Sequence, residues 1–110
     1  NGDLRVATDV TFGGIADLAR DGDLLYVVDK DAHRLVAVNL GSSAAVVGGL
    51  TILPGEARTV CGAGQGAPGF GGDGVPPLNA LLSAPQGVAR DGTGLVITDT
   101  GNNRVRRFER

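Results

Sequence analysis

The sequence predicts an all-β fold made of two copies of one small antiparallel sheet. Much of residues 17–38, DLARDGDLLYVVDKDAHRLVAV, is spelled again at residues 87–108, GVARDGTGLVITDTGNNRVRRF. Gly makes up 19 of 110 residues without a collagen-like period, which indicates many tight turns because Gly adopts positive φ at little cost. Short apolar runs between these turns are typical of strands.

The repeat runs without a gap at an offset of 70 residues. Seven of the sixteen positions from 19 to 34 are identical to their counterparts, which indicates duplication of a structural unit. The identical pairs are Ala19 and Ala89, Arg20 and Arg90, Asp21 and Asp91, Gly22 and Gly92, Leu25 and Leu95, Asp29 and Asp99, and Arg34 and Arg104.

Each copy is predicted to run strand, turn, strand, turn, strand. Asp-Gly at 21–22 and at 91–92 predicts the first turn. The runs LLYVV and LVIT that follow are nearly continuous in apolar residues, which is typical of strands covered on both faces. DKDAH and DTGNN then predict the second turn, and RLVAVNL and RVRRFER the third strand.

Two further strands raise the predicted total to eight. ARTVCG at 57–62 follows copy one, and LRVATDV at 4–10 precedes it. Eight strands make two four-stranded antiparallel units with one split across the termini, as in β-propellers that close their ring. We expect one unit over 1–110. Its parts are blade 1 at about 11–62 with a hairpin extension at 42–56, blade 2 at about 80–110, with residues 4–10 as the candidate strand to complete it, and a Gly/Pro-rich inter-blade loop at 62–79.

Composition and charge exclude some classes of function. Ten basic and twelve acidic residues give a formal net charge of −2, so no global cationic field favours nucleic acid. The longest apolar stretch, at 44–53, is too short for a bilayer and is broken by two glycines, so no membrane insertion is expected. The single cysteine, Cys61, excludes an internal disulfide, and the N-terminus lacks a signal-peptide layout, which indicates a mature fragment or an excised domain.

Several segments together resemble the NHL-repeat family. They are GAGQGAPGFGGDG at 62–74, ALLSAPQGVARD at 80–91, GLVITD at 94–99 and TGNNRVRRF at 100–108. Copy two follows the family pattern closely, including Pro85 of its "PxGVA" motif. Copy one is looser, with Ile15 at the position of Pro85 and His33 at the position of Asn103.

The resemblance implies β-propeller blades, commonly six around a channel. Two blades cannot close such a ring. The remaining blades would therefore come from a longer chain or from other copies, as in a trimer of two-blade chains in which residues 4–10 of one chain complete the second blade of the next. The alternatives are a fragment that associates less regularly and one that pairs its own termini. Similar Gly-rich arrays favour a bacterial secreted or cell-surface protein.

The repeated polar residues have structural and functional interpretations. Asp29 and Asp99 suit metal binding, but capping of the following turn by accepting backbone N–H bonds is the favoured role, and no metal is expected. Arg34 and Arg104 are expected to pair with a nearby carboxylate or carbonyl. Repetition at equivalent positions favours scaffolding over a unique active site, and no catalytic residue is assigned.

Two further motifs resemble ligand-binding signatures, but the residues around them do not fit those sites. GAGQGA at 62–67 satisfies the dinucleotide signature, but Pro68 and glycines follow where a helix is required. DKDAHR at 29–34 resembles a calcium loop with Arg34 in place of the required Gly. His33 is expected to be a solvated turn residue, and Cys61 a small buried hydrophobe.

A ligand site is predicted where the loop entering the first strand meets the turn between second and third strands. We expect a non-catalytic binding or assembly module without a cofactor, acting on a protein or small ligand. One alternative is a lyase- or hydrolase-like propeller enzyme with a metal in its channel, and a lesser one is an RNA-binding propeller fragment using RVRRFER. The candidate ligand-binding residues are Phe70, Asp73, Asp31, His33, Asn102 and Asn103.

Overall fold

The structure is a computed structural model that describes residues 5–6, 12–47, 50–62, 82–92 and 94–109. Over these residues the fold is all-β with antiparallel sheets, as predicted, with one short 3-10 turn at Thr100–Asn102. The strands are β1 (Arg5–Val6), β2 (Ile15–Asp21), β3 (Leu24–Asp29), β4 (Arg34–Asn39), β5 (Ala45–Val47), β6 (Leu50–Ile52), β7 (Glu56–Gly62), β8 (Gly87–Asp91), β9 (Gly94–Asp99) and β10 (Arg104–Glu109).

The strands form two larger sheets and one hairpin. The first sheet has five strands in the order β1-β7-β4-β3-β2, and the second has three in the order β10-β9-β8. Strands β5 and β6 pair with each other within the segment expected to form a hairpin extension. The buried Asn39 anchors this hairpin, because its Nδ2 donates to the carbonyls of Ser43 and Ile52 at 2.8 Å each.

Strand register repeats at the offset of 70 residues. Leu18 lies opposite Val27 in the first sheet, and their counterparts Val88 and Ile97 lie opposite each other in the second. The turns repeat as well. Gly22 and Gly92 both have φ of +60°, the left-handed conformation that the Asp-Gly turns require.

The described part of the N-terminal segment pairs with the first repeat. In the trimer considered from the sequence, residues 4–10 of one chain complete the second blade of the next. Within this single chain Arg5–Val6 pairs with β7 at the outer edge of the first sheet, Arg5 opposite Ala57 and Val6 opposite Glu56. The exposed edge of β7 offers free backbone groups to the segment in the same chain, which sequence pattern alone does not reveal.

One shared core joins the two sheets. Residues that alternate along β2, β3 and β4 form what we call the Tyr26 face of the first sheet, comprising Ala19, Leu24, Tyr26, Val28, Leu35 and Ala37. Residues that alternate along β8 and β9 form the Ile97 face of the second sheet, comprising Val88, Leu95 and Ile97. Both sets belong to a single buried cluster, so the two faces pack against each other.

The two faces in contact are not equivalent in the repeat. Ile97 corresponds to Val27, which lies on the opposite side of the first sheet from Tyr26. We name the opposite side of the first sheet the Val27 face and the opposite side of the second the Val96 face. The sheets are therefore stacked head to tail, each in the same orientation.

Both sides of the central strands β3 and β4 are buried, as their continuous apolar runs predicted. On the Val27 face, a second buried cluster consists of Val27, Val36, Val38 and Ala57, with Phe12 packed against it. Burial of an aliphatic side chain stabilises a fold by roughly 1.5–3 kcal/mol, which is why this sheet tolerates few polar residues at its centre.

Candidate functional site

Two turns and two chain segments gather at one end of the sheets. The turn that follows β3 meets the segment that precedes β2, where the Lys30 N–H donates to the Gly14 carbonyl at 2.8 Å. The turn that follows β9 meets the segment that precedes β8, where the Gly101 N–H donates to the Ser83 carbonyl at 2.7 Å. The loop entering the first strand and the turn between the second and third strands lie at the same end of each sheet, as expected, because these strands are antiparallel.

Asp29 organises the first of these junctions. Its carboxylate is buried and accepts the N–H of Gly13 and of Gly14, each at 3.0 Å to Oδ1. Arg34 completes the arrangement, with Nε 3.0 Å from Oδ2. The Arg34 guanidinium also lies over the Phe12 ring, 5.5 Å from its centroid. Such charge-assisted bonds are about twice as strong as neutral ones, so they hold the loop against the sheet.

Asp99 organises the second junction in the same way. Its Oδ1 accepts the Ser83 N–H at 2.8 Å, and Ser83 is the counterpart of Gly13 at the offset of 70. Its Oδ2 accepts Asn102 Nδ2 at 2.9 Å and Arg106 Nε at 2.8 Å. Both carboxylates thus have their oxygens committed to donors of this chain.

These contacts correct the expected role of the two aspartates. Both were expected to cap the turn that follows them. The structure instead directs Asp29 and Asp99 to backbone N–H groups sixteen residues earlier, and the 3-10 turn after Asp99 has no side-chain cap from it. Their carboxylates fix the entry to the first strand of each repeat.

The buried ion pair of the second repeat is made by an arginine two residues beyond Arg104. Arg104 lies directly opposite Asp99 in the strand register, as Arg34 lies opposite Asp29. The buried ion pair with Asp99 is made by Arg106, whose side chain is almost fully buried, while Arg104 is exposed. Residues two apart on a strand share a face, so both arginines point to the same side, and only the structure distinguishes them.

His33 lies between the two repeats. It has a left-handed backbone with φ of 55°, as does its counterpart Asn103 with φ of 54°. Its Nδ1 accepts the Ala84 N–H at 2.9 Å, and its side chain is half-buried. His33 lies in a turn as expected, but its ring is only partly in solvent, because its Nδ1 bonds the segment that enters β8.

Three of the remaining candidate residues lie in the two turns. Asp31 is exposed above Gly14, where an added Cβ would collide with its carboxylate. Asn102 is half-buried and Asn103 exposed in the second turn. The other two candidates, Phe70 and Asp73, lie outside the described residues.

The turn end of the sheets exposes polar side chains to solvent. Within the described ranges, no group of three or more His, Cys, Asp or Glu side chains is placed to hold a metal ion. Cys61 is buried in β7, and burial raises the pKa of its thiol to about 12, so it is not a nucleophile at neutral pH. The side chains of Asp31 and Asn103 are exposed at this end of the sheets.

Two of the three arginines of β10 form ion pairs with acidic neighbours. Arg106 binds Asp99, and Arg107 bonds Asp91 at 2.9 Å and Glu109 at 2.7 Å. Hydrogen bonds to Glu109 and then Asp91 raise the pKa of the Arg107 guanidinium above its ordinary value. Local acidic partners therefore offset the positive charge that RVRRFER suggested.

No protein-family model matches the chain, and no curated protein matches it significantly. Across the described residues, helices with the length and apolar character needed to cross a membrane are absent.

Proposed function

We propose that the chain is a non-catalytic assembly and binding module built from two β-propeller blades of the NHL type. The observation that carries this proposal is the head-to-tail packing of the Tyr26 face on the Ile97 face. Non-equivalent faces of equivalent sheets can be stacked again and again. Contacts between two identical faces would instead end after one pair.

The positions of β2 and β8 support the same proposal. Each is the edge strand of its sheet, and the two edges adjoin, with Val88 N–H donating to Asp17 Oδ2 at 3.0 Å. In a propeller the first strands of successive blades meet around the central channel. Three chains of two blades would make a ring of six, and blades from a longer chain would fill the same positions.

The turn end of the sheets is the proposed binding surface. The buried carboxylates of Asp29 and Asp99 accept hydrogen bonds that hold the loops in place. Their use as loop anchors favours a rigid binding surface over a catalytic site. Asp31 and Asn103 are the exposed polar side chains that a protein or small polar ligand would contact.

The mass of the 110-residue chain in solution tests the assembly proposal. We expect multi-angle light scattering over a concentration series to show association, with a species of three chains if a six-bladed ring closes. A constant monomer mass at every concentration would refute self-assembly. Asp31→Asn serves as a control that leaves the mass unchanged, because Asp31 lies at the turn end and on neither stacking face.

A further inference from the structure

We propose that a second copy of this chain docks head to tail. The Val96 face of one copy contacts the β2 edge of the next, by which we mean the side chains of Ile15, Leu18 and Arg20 on the Val27 face. This inference rests on the proposed assembly function and names its interface. The contact between the two sheets inside one chain supplies the template, because several residues in it have exposed counterparts at an offset of 70 residues.

The apolar residues of the template have exposed counterparts on the β2 edge. Val88 is 8% exposed where it packs into the shared core, but its counterpart Leu18 is 52% exposed. Pro85, which precedes β8, is fully buried, whereas its counterpart Ile15 is 55% exposed. Two large aliphatic side chains in neighbouring positions on one edge form an apolar strip that nothing in the described chain covers.

The Val96 face presents the opposite half of the template. Leu35, on the Tyr26 face, is 1% exposed, and its counterpart Val105 is 70% exposed. Val96 itself, the counterpart of the fully buried Tyr26, is only half-buried. In the contact inside the chain, each of these apolar side chains is covered by the other sheet. The corresponding side chains on the Val96 face and the β2 edge are not covered in this way.

Charge complementarity continues the same pattern. Inside the chain Asp21 Oδ1 accepts Arg90 NH1 at 2.9 Å across the two sheets. The counterparts are Asp91 on the Val96 face, where it also pairs with the exposed Arg107, and Arg20 on the β2 edge; both side chains are exposed. Stacking the next copy in the template orientation brings this acid and this base together, which fixes register and direction.

Burial within the chain limits the size of the contact. Val27 and Val36 are already buried, so a second copy reaches only the strip of Ile15, Leu18 and Arg20. A contact of this kind is small and dissociates on dilution. We therefore expect association to depend on concentration rather than to be permanent.

Two blocking variants test the inference. Val105→Lys places a charge on the Val96 face, and Leu18→Lys places one on the β2 edge. Each is expected to reduce self-association at least tenfold. Val46→Lys is the matched control, because Val46 is 61% exposed on the β5 hairpin and lies on neither face, and it should associate like the unmodified chain. Far-UV circular dichroism verifies that each variant is folded.

Mixing the two blocked variants tests direction. Each retains the face that the other has lost, so an equimolar mixture should form a dimer of one copy of each and stop there. If the unmodified chain associates but Val105→Lys and Leu18→Lys behave like it, this interface is wrong and the assembly proposal stands. If both variants are monomeric and their mixture is too, head-to-tail docking is overturned. If the unmodified chain itself is monomeric, the assembly proposal fails together with this inference.

Discussion

Replacing Arg106 with Met should destabilise the fold far more than the same change at Arg104. Arg106 and Asp99 form a buried pair at 2.8 Å, so removing the guanidinium leaves a buried carboxylate without its cation. Breaking such a pair costs about 3–5 kcal/mol. Asp99 keeps two donors, the Ser83 N–H and Asn102 Nδ2, which places the expected loss near the lower end, about 3 kcal/mol.

Urea unfolding followed by far-UV circular dichroism measures this loss. With a urea slope of about 1–2 kcal/mol/M, the midpoint should fall by roughly 1.5–3 M. Arg104→Met is the matched control and should change stability by about 1 kcal/mol or less, because the interactions of an exposed arginine are screened by solvent. Adding Asp99→Asn to Arg106→Met should recover part of the loss, since the buried charge is then gone. Equal losses at Arg104 and Arg106 would refute the assignment of the pair.

Three further predictions concern the same fold. Arg34→Met should cost less than Arg106→Met in the same urea assay, because Asp29 keeps the two N–H donors of the preceding loop and Arg34 is partly exposed; a larger loss would contradict this. Gly55→Ala should cost about 1–2 kcal/mol from its φ of 79° alone, whereas Gly62→Ala should cost clearly more, because its Cβ would also lie 2.3 Å from the His33 carbonyl oxygen; equal midpoints would argue against that close approach. Burial raises the pKa of Cys61 from 9.0 to about 12 and that of Tyr26 from 10.0 to about 12, so both stay protonated in the folded chain while the unfolded chain ionises. The free energy of unfolding should therefore fall between pH 9 and 12, by about 1.4 kcal/mol per pH unit for each ionising group, and Cys61→Ala should remove the part that begins near pH 9.

Local turn chemistry was predictable from sequence. Asp-Gly at two sites correctly located the turns where Gly22 and Gly92 adopt positive φ, because that conformation depends on neighbouring residues alone. The all-β class followed from the same signals together with the apolar runs. The offset of 70 residues also reappears in the strand register, since identical patterns favour identical pairing.

Contacts between distant segments were not predictable in the same way. Asp29 and Asp99 were recognised as acceptors of backbone N–H groups, but their donors lie sixteen residues earlier and are brought close only by sheet formation. The buried pair of Arg106 with Asp99 was not predicted, because Arg104 and Arg106 lie on the same face of β10 and only their depth in the packed structure distinguishes them. His33 contacts Ala84 across 51 residues, a separation for which the sequence carries no pattern.

Tyr26 gives the molecule an optical property of its own. It is the one tyrosine of a chain that has no tryptophan, and it is fully buried in the cluster shared by both sheets. Within the described residues its hydroxyl has no hydrogen-bond partner. Near-ultraviolet absorption and emission are therefore dominated by a single position between the sheets. If the two repeats separated, Tyr26 would become exposed to solvent, and its absorption and emission would change. No added label is needed, and no surface tyrosine or tryptophan contributes to the signal.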